Sequence, residues 1–298
     1  MSKSRDVSTF HTSKRQAIYI HTRTVLPCMY EEWMSLQEQE LSDLLRHSLN
    51  LNKSVPNAAD DDEMASLLDN IVHNFKDYAA RRRRLARKDV CGFFSQSWRT
   101  TFENSISWIG GCRPSSYFRL IYALCGAEID SRLSQFFQGY VLVFICLFEQ
   151  HDLKKYLIDF TLVSKSTDGS SSEFPVLSAI QLSSIDNLQR RTIVQEEKLS
   201  TKLASLQQEI ADMPLALIAR KSSPDYKLNE EAIDAIGKIE EAMVCTIEEA
   251  DELRLKTYQE LTKILTRAQA LDYIIAVKKL RLCVRAWGIE KDQERARE

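Results

Sequence analysis

The chain has 298 residues, and 40 lysine and arginine residues oppose 42 aspartate and glutamate residues, so its formal net charge is −2 at pH 7. Apolar residues make up 44% of the chain, which allows a sizeable core and excludes a wholly disordered protein. The small net charge excludes a globally basic nucleic-acid coat. Only 8 glycines and 6 prolines are present, which disfavours sandwiches, barrels and glycine-rich nucleotide folds and favours long helices.

The N-terminal segment, residues 1–27, is predicted to be a disordered tail. Its basic residues and its several Ser and Thr residues are also typical of an organelle transit peptide, and we favour the tail. No apolar run long enough for a secretory signal follows. The folded domain is predicted to begin at residue 28, and its first helix is expected over 30–51.

The next helical pattern starts near Met64 and ends in a run of basic residues. Residues 88–125 are rich in aromatic side chains, and Gly110-Gly111 separates two short predicted helices. Pro114 suits the first turn of the second of these helices.

Residues 140–175 differ from their surroundings and are predicted to be an inserted segment; a genuine insertion or a mis-joined exon would both give this pattern. Three long helices follow, at about 176–211, 228–264 and 266–287, and residues 291–298 are expected to be a charged tail. The predicted fold class is therefore all-α, a multi-helix bundle with three long C-terminal helices and a domain that extends to residue 290.

Charge predicts how two of these helices pack. Residues 229–265 hold ten acidic and four basic residues, whereas residues 266–288 hold five basic residues and one acidic residue. A short connection between helices of opposite charge predicts an antiparallel pair with complementary faces.

Catalytic constellations are not found in the sequence. Motifs of serine hydrolases, phosphate-binding loops, dinucleotide-binding loops and zinc proteases are all missing, and none of the five histidines has a partner at ligand spacing. The seven cysteines are scattered, with no pair spaced as in a zinc ribbon, and we expect reduced thiols. We therefore expect neither an enzyme nor a metal site.

A basic run closes the second predicted helix. Some positive charge suits a helix C-terminus, but this run exceeds what the helix dipole requires. It is typical of a nuclear import signal or a phosphate-contacting patch, and the alternative is a solvated helix end. We predict an import signal made of Arg81, Arg82, Arg83, Arg84, Arg87 and Lys88.

The aromatic segment at 92–124 reads GFFSQSWRTTFENSISWIGGCRPSSYFRLIYAL. Its two tryptophans and the turn after the second closely resemble the delay-of-germination family of seed-dormancy regulators, whose domain also forms the C-terminal half of TGA-type bZIP transcription factors. Segments 30–49, 177–207 and 264–288 agree with this family. We expect a structural role for the signature residues, which are Trp98, Trp108, Gly110, Gly111, Arg113 and Pro114.

The resemblance implies an all-helical, non-enzymatic regulator of the nucleus and cytoplasm. The family acts in dormancy, maturation and abscisic-acid signalling, through contacts with other proteins. Its bZIP relatives imply sequence-specific DNA binding and transcription regulation. No membrane association is expected, because the most apolar run is too short to span a bilayer. A homo-oligomer is compatible with the sequence.

Three departures from the family's pattern limit what the resemblance implies. No bZIP basic region is present, so direct DNA binding by this chain alone is not expected. The family's phosphatase-binding motif is matched only at Tyr30, Glu32 and Trp33, which form the candidate partner-binding motif. No histidine follows His151, so haem is not expected and no cofactor is predicted.

Three functions therefore stay open at the level of sequence. The first is a regulatory interaction module whose partners are abscisic-acid-pathway phosphatases or bZIP factors. The second is a transcription-associated DNA-binding protein, and the third is a purely structural helical scaffold.

Overall fold

A computed structural model describes residues 4–51, 58–125, 177–221 and 229–298, with the side chains of the first helix described from Thr24 onward. The predicted insertion at 140–175 lies outside the described residues.

The described residues form helices, and the single bridge between Trp108 and Gly111 is the only β-type pairing within them. This confirms the predicted all-α class. A short 3₁₀ helix, Glu209–Ala211, follows the sixth α-helix. The α-helices are α1 (Ser4–Leu51), α2 (Ala58–Ala86), α3 (Val90–Phe94), α4 (Thr101–Ser105), α5 (Ser115–Leu124), α6 (Ala179–Gln208), α7 (Leu215–Lys221), α8 (Glu230–Ile264) and α9 (Arg267–Arg295).

Local sequence explains where two of the long helices begin. Ser178 with Gln181 caps α6, and Thr266 with Gln269 caps α9; each pair exchanges side-chain and backbone hydrogen bonds in a capping box. The side-chain Nε2 of Gln181 also donates to the backbone carbonyl of Ile264 (3.0 Å) and to Oε1 of Gln269 (2.7 Å). One side chain therefore ties together the ends of α6, α8 and α9.

The main hydrophobic core lies where α1, α2, α5, α6, α8 and α9 meet. The last helix contributes Tyr273 and Ile274, both fully buried. A second apolar cluster joins α1, α2, α3, α6 and α8, and a third, smaller one surrounds Tyr30, Trp33 and Met34.

The first helix begins earlier than predicted. It starts at Ser4, so a disordered tail over residues 1–27 is wrong for residues 4–27. Leu26 and Met29 are buried in the second cluster, and their packing carries the helix past Pro27. Pro27 removes one helical hydrogen bond, but the burial of residues on both sides outweighs that loss.

The last helix is longer than predicted, because it continues to Arg295 and includes five of the eight residues of the expected charged tail. The predicted end of the helix, at about residue 287, lies directly before Gly288. A Cβ atom at this position would lie 2.7 Å from Cβ of Thr100 and closer still to its Oγ1. Gly288 is thus needed for the close approach of α9 to the start of α4, and it does not end the helix.

The predicted pairing of α8 with α9 through opposite charges is wrong. The helix α8 packs mainly along α6 and α2, whereas α9 packs mainly along α1. Basic residues of α9 pair with acids of α1: Lys278 with Glu40 and Arg285 with Glu31. The positive charge of α9 correctly predicted an acidic neighbour. It did not identify which helix that neighbour is, because α1 also carries acidic residues.

Two glycines in long helices test this account of the fold. We expect Gly288→Ala to destabilise the protein by about 1–3 kcal/mol, because the added methyl group collides with Thr100. A Cβ at Gly237, in α8, meets no atom within 4 Å, so Gly237→Ala should stabilise by about 0.5–1 kcal/mol. Urea unfolding of both variants measures the difference, and equal effects would show that α9 does not approach α4 closely.

Candidate functional site

The strongest motif of the sequence forms a tight turn between α4 and α5. The amide of Trp108 donates to the carbonyl of Gly111 (2.7 Å), and the amide of Gly111 donates back to the carbonyl of Trp108 (3.1 Å). Ile109 and Gly110 hold the central positions with φ of 44° and 67°. Two successive positive φ angles define a type I′ turn. Because Ile109 is β-branched, its backbone is strained there and has to be held by its surroundings.

Arg254 of α8 holds one side of this turn. Its Nε donates to the carbonyl of Cys112 (2.7 Å), and its Nη2 donates to the carbonyls of Ile109 (3.0 Å) and Trp108. A Cβ at Gly111 would lie 2.9 Å from Cζ of Arg254, so the guanidinium group also requires glycine at that position. The carbonyls of a turn that projects into the protein are thus satisfied by one side chain.

The remaining carbonyl, that of Gly110, accepts hydrogen bonds from Arg82 Nη2 and Gln96 Nε2, each at 3.0 Å. Asp251 joins the two arginines: its Oδ2 accepts from Arg82 Nε (2.9 Å) and its Oδ1 from Arg254 Nη1 (2.6 Å). We call Arg82, Gln96, Asp251 and Arg254 the carbonyl clamp. It links α2, α8 and the turn.

The clamp is buried and its charges compensate one another. The side chains of Arg82, Asp251 and Arg254 are 9%, 6% and 3% exposed. Burial acts against the charge of Arg82, but the nearby carboxylate of Asp251 holds its pKa above the ordinary value. Removing one partner from such a buried network leaves an uncompensated charge, which typically costs about 3–5 kcal/mol.

Glu196 of α6 anchors the segment that follows the turn. Its fully buried carboxylate accepts from Nε of Arg113 (2.7 Å) and from the amide of Ser115 (2.5 Å), at the start of α5. The indole of Trp108 donates to Ser200 Oγ one turn further along α6 (2.9 Å). The signature residues thus bind α6 on one side and α8 on the other, and Pro114 is the N-cap of α5.

Sequence reasoning missed Glu196, Asp251 and Arg254. A signal was present, because each is a charged residue at a buried position of an otherwise apolar helix face. Glu196 follows Leu188 and Thr192 on the buried side of α6 at spacings of four residues. Such residues are commonly paired, but their partners are distant in sequence and cannot be read from periodicity.

The chemistry available at this site is limited to holding the turn. Its donors and acceptors satisfy one another, and it contains no histidine. Across the described ranges, no group of three His, Cys, Asp or Glu residues is placed to hold a metal ion. None of the helices that the structure describes is long and apolar enough to cross a bilayer.

The candidate partner-binding motif lies on α1, but its three residues face different surroundings. Trp33 is buried and stacks on Tyr78 of α2, with ring centroids 4.1 Å apart. Tyr30 is buried and its hydroxyl donates a short hydrogen bond to Glu103. Glu32 is exposed and pairs with Arg81 (2.7 Å). In this structure only the carboxylate of the motif is accessible to another protein.

The basic run is partly neutralised by acids from other helices, which its sequence interpretation did not anticipate. Arg82 is buried in the carbonyl clamp, and Arg81 and Arg87 pair with Glu32 and Glu248. Arg82 is therefore not available as part of an import signal. For the exposed members, which include Arg84, the signal stays a prediction.

Two arginines of this run provide a matched test of the clamp. We expect Arg82→Gln to lower the free energy of unfolding by about 3–5 kcal/mol, because Asp251 loses a buried partner. Arg84→Gln removes an exposed charge and should change stability by no more than about 0.5 kcal/mol. Chemical denaturation followed by circular dichroism gives both free energies of unfolding. Similar stabilities for the two variants would contradict a stabilising role of Arg82 in the carbonyl clamp.

Glu103 makes stability depend on pH. Burial acts to raise its pKa, but hydrogen bonds from Tyr30 and Thr100 and the charge of Arg99 hold the pKa below its ordinary value. A depressed folded-state pKa contributes stability above the unfolded-state pKa, and this contribution is lost as the pH falls through the folded-state pKa.

We therefore expect Glu103→Gln to destabilise the protein at pH 7 by about 1–3 kcal/mol, and the difference from the parent to shrink as the pH falls below about 4. Glu38, exposed on α1, provides the control: Glu38→Gln should have little effect at either pH. Urea titrations at several pH values measure these differences. A Glu103→Gln deficit that does not change with pH would show that the carboxylate charge is unimportant.

Comparison with known proteins places the chain in a family. A family model described as seed dormancy control matches residues 40–123. Protein DOG1-like 1 of Arabidopsis thaliana is 33% identical over 89% of this chain and 89% of its own length, and Protein DOG1-like 3 is 34% identical over 89% and 84%. Transcription factor TGA5 of the same plant is 23% identical over 86% of this chain and 61% of its own length. The chain therefore belongs to the DOG1-like family, as the resemblance predicted.

Proposed function

We propose that this chain is a non-enzymatic regulator of seed dormancy and maturation that acts by binding other proteins in abscisic-acid signalling and is linked to transcription. The observation that carries the proposal is the identity of 33% with Protein DOG1-like 1 over nearly the whole of both chains. The relatives that the chain matches, DOG1-like proteins and TGA transcription factors, are not enzymes, which supports a regulatory role.

Phosphatases of the abscisic-acid pathway are the proposed partners, and the proposed contact is the motif on α1. Glu32 supports this assignment because its carboxylate is exposed at 60% and is held only by a surface ion pair with Arg81. An exposed pair of this kind contributes little to stability, so Glu32 is free to exchange its partner for a basic group of another protein.

Association with bZIP factors is a second proposed function, favoured by the similarity to TGA5. The sequence lacks the basic helix through which bZIP proteins bind DNA, so any link to DNA would pass through a bZIP partner. The TGA relatives also support a nuclear location, and we propose that the protein is present in both nucleus and cytoplasm.

Charge reversal on α1 tests the phosphatase proposal. We expect Glu32→Arg to weaken capture of such phosphatases from seed extract by about fivefold or more, because a rim charge facing a basic partner then repels it. Glu38→Arg, equally exposed on the same helix, should leave capture unchanged. Quantitative mass spectrometry of tagged pulldowns measures the ratio. Retention of no phosphatase by the parent chain, or equal retention by Glu32→Arg, would refute the proposal.

A further inference from the structure

The aromatic residues of the candidate motif face the interior, so any partner that reads them requires α1 to move. Tyr30 and Trp33 are 5% and 6% exposed. They belong to the third apolar cluster, whose further buried member is Met34. This cluster borders the other two, because Phe75 also packs against the main core and Tyr78 against the second cluster. A cluster with few buried members opens more readily than a main core.

The surface beneath this part of α1 is basic. Lys278, Arg281 and Arg285 lie three and four residues apart on one side of α9 and face α1. Cζ of Arg285 lies 5.0 Å from the ring centroid of Tyr30, and Cζ of Arg281 lies 6.0 Å from that of Trp33. As residue numbers rise along α1 they fall along α9, so the two helices pack antiparallel.

Acidic groups of α1 complete this contact. Both oxygens of Glu31 accept from Arg285 Nη2, at 2.6 and 2.7 Å. Further along, Glu40 accepts from the buried ammonium group of Lys278 (2.5 Å), which also donates to Gln37 (3.1 Å). Charged groups recover their hydration when such a contact opens, so separating this interface costs less than separating an apolar one of equal area.

One buried donor is left without a partner in the closed arrangement. Within the described part of the chain, Nε1 of Trp33 makes no hydrogen bond. A buried unsatisfied donor typically costs about 1–3 kcal/mol, and exposure to water or to an acceptor on another protein removes that cost. This cost is subtracted from the stability that the burial of Trp33 gives to the closed arrangement, which makes opening easier.

We propose that residues 24–40 form a releasable arm, which opens separately from the bundle and gives partners access to Tyr30 and Trp33. The consequence for binding rests on the proposed function, whereas the release itself is a property of the free protein. The ion pair between Glu31 and Arg285 holds the arm to α9, and its strength sets how often the arm opens.

Hydrogen exchange of the free full-length chain tests the release. Amides of the arm should exchange through openings that leave α8 protected at 247–261. Arg285→Glu should accelerate exchange of the arm about tenfold or more with little change in α8, because it replaces an ion pair by repulsion. The double variant Glu31→Arg/Arg285→Glu restores opposite charges and should return exchange to within about threefold of the parent.

Arg191 provides the control, because it forms an exposed pair with Glu260 between α6 and α8. Arg191→Glu should leave the exchange of the arm unchanged. If the arm and α8 exchange at the same rate in the parent, and Arg285→Glu accelerates both together, opening is global and the proposal is overturned.

Pulldown of phosphatases from seed extract with the same variants separates the two proposals. Stronger capture by Arg285→Glu, reversed in the double variant, supports access through the arm. If hydrogen exchange shows release of the arm but neither the parent nor any variant captures a phosphatase, the releasable arm is supported and the proposed function is contradicted. Capture by the parent that is equal in Arg285→Glu, despite faster exchange, overturns access through the arm.

Discussion

The carboxylate of Asp251, held between the guanidinium groups of Arg82 and Arg254, is the interaction on which the rest of this bundle depends. The turn at Trp108–Cys112 projects into the protein, so its carbonyl groups point away from water and need hydrogen-bond donors. In a helical bundle no neighbouring strand provides these donors, so side chains have to do so. Two arginines provide the donors, and one aspartate makes their burial tolerable. Because Arg82 lies on α2 and the other two on α8, the strained turn also sets the distance between those helices.

This dependence reaches beyond the segment that the family model matches. Residues 40–123 contain the turn and Arg82. The groups that satisfy the turn and the start of α5, namely Asp251, Arg254 and Glu196, lie far beyond that range. The matched segment is therefore not an independent folding unit, and its most distinctive residues acquire their role only when α6 and α8 pack against them.

Local rules predicted much of this structure. Helical periodicity located α6, α8 and the start of α9 to within a few residues, and the sparse glycine and proline content predicted the fold class. The errors arose where one residue serves a distant neighbour. Gly288 resembles a helix end, yet it admits Thr100 from another helix. Arg82 resembles its neighbours in the basic run, yet its partner is 169 residues away. Pairing of α8 with α9 was inferred from net charge, which is shared by too many helices to identify one partner.

The position of Arg82 has a consequence for how this family varies. Its Nε and Nη2 atoms bind Asp251 and the carbonyl of Gly110 at the same time, a geometry that the single ammonium group of lysine does not reproduce. Arg81, Arg84 and Arg87 meet solvent or surface acids, where lysine serves as well. Relatives should therefore retain arginine at the position of Arg82, whereas the exposed positions beside it should vary between arginine and lysine. A tract that looks uniform in composition would then evolve at unequal rates along its length.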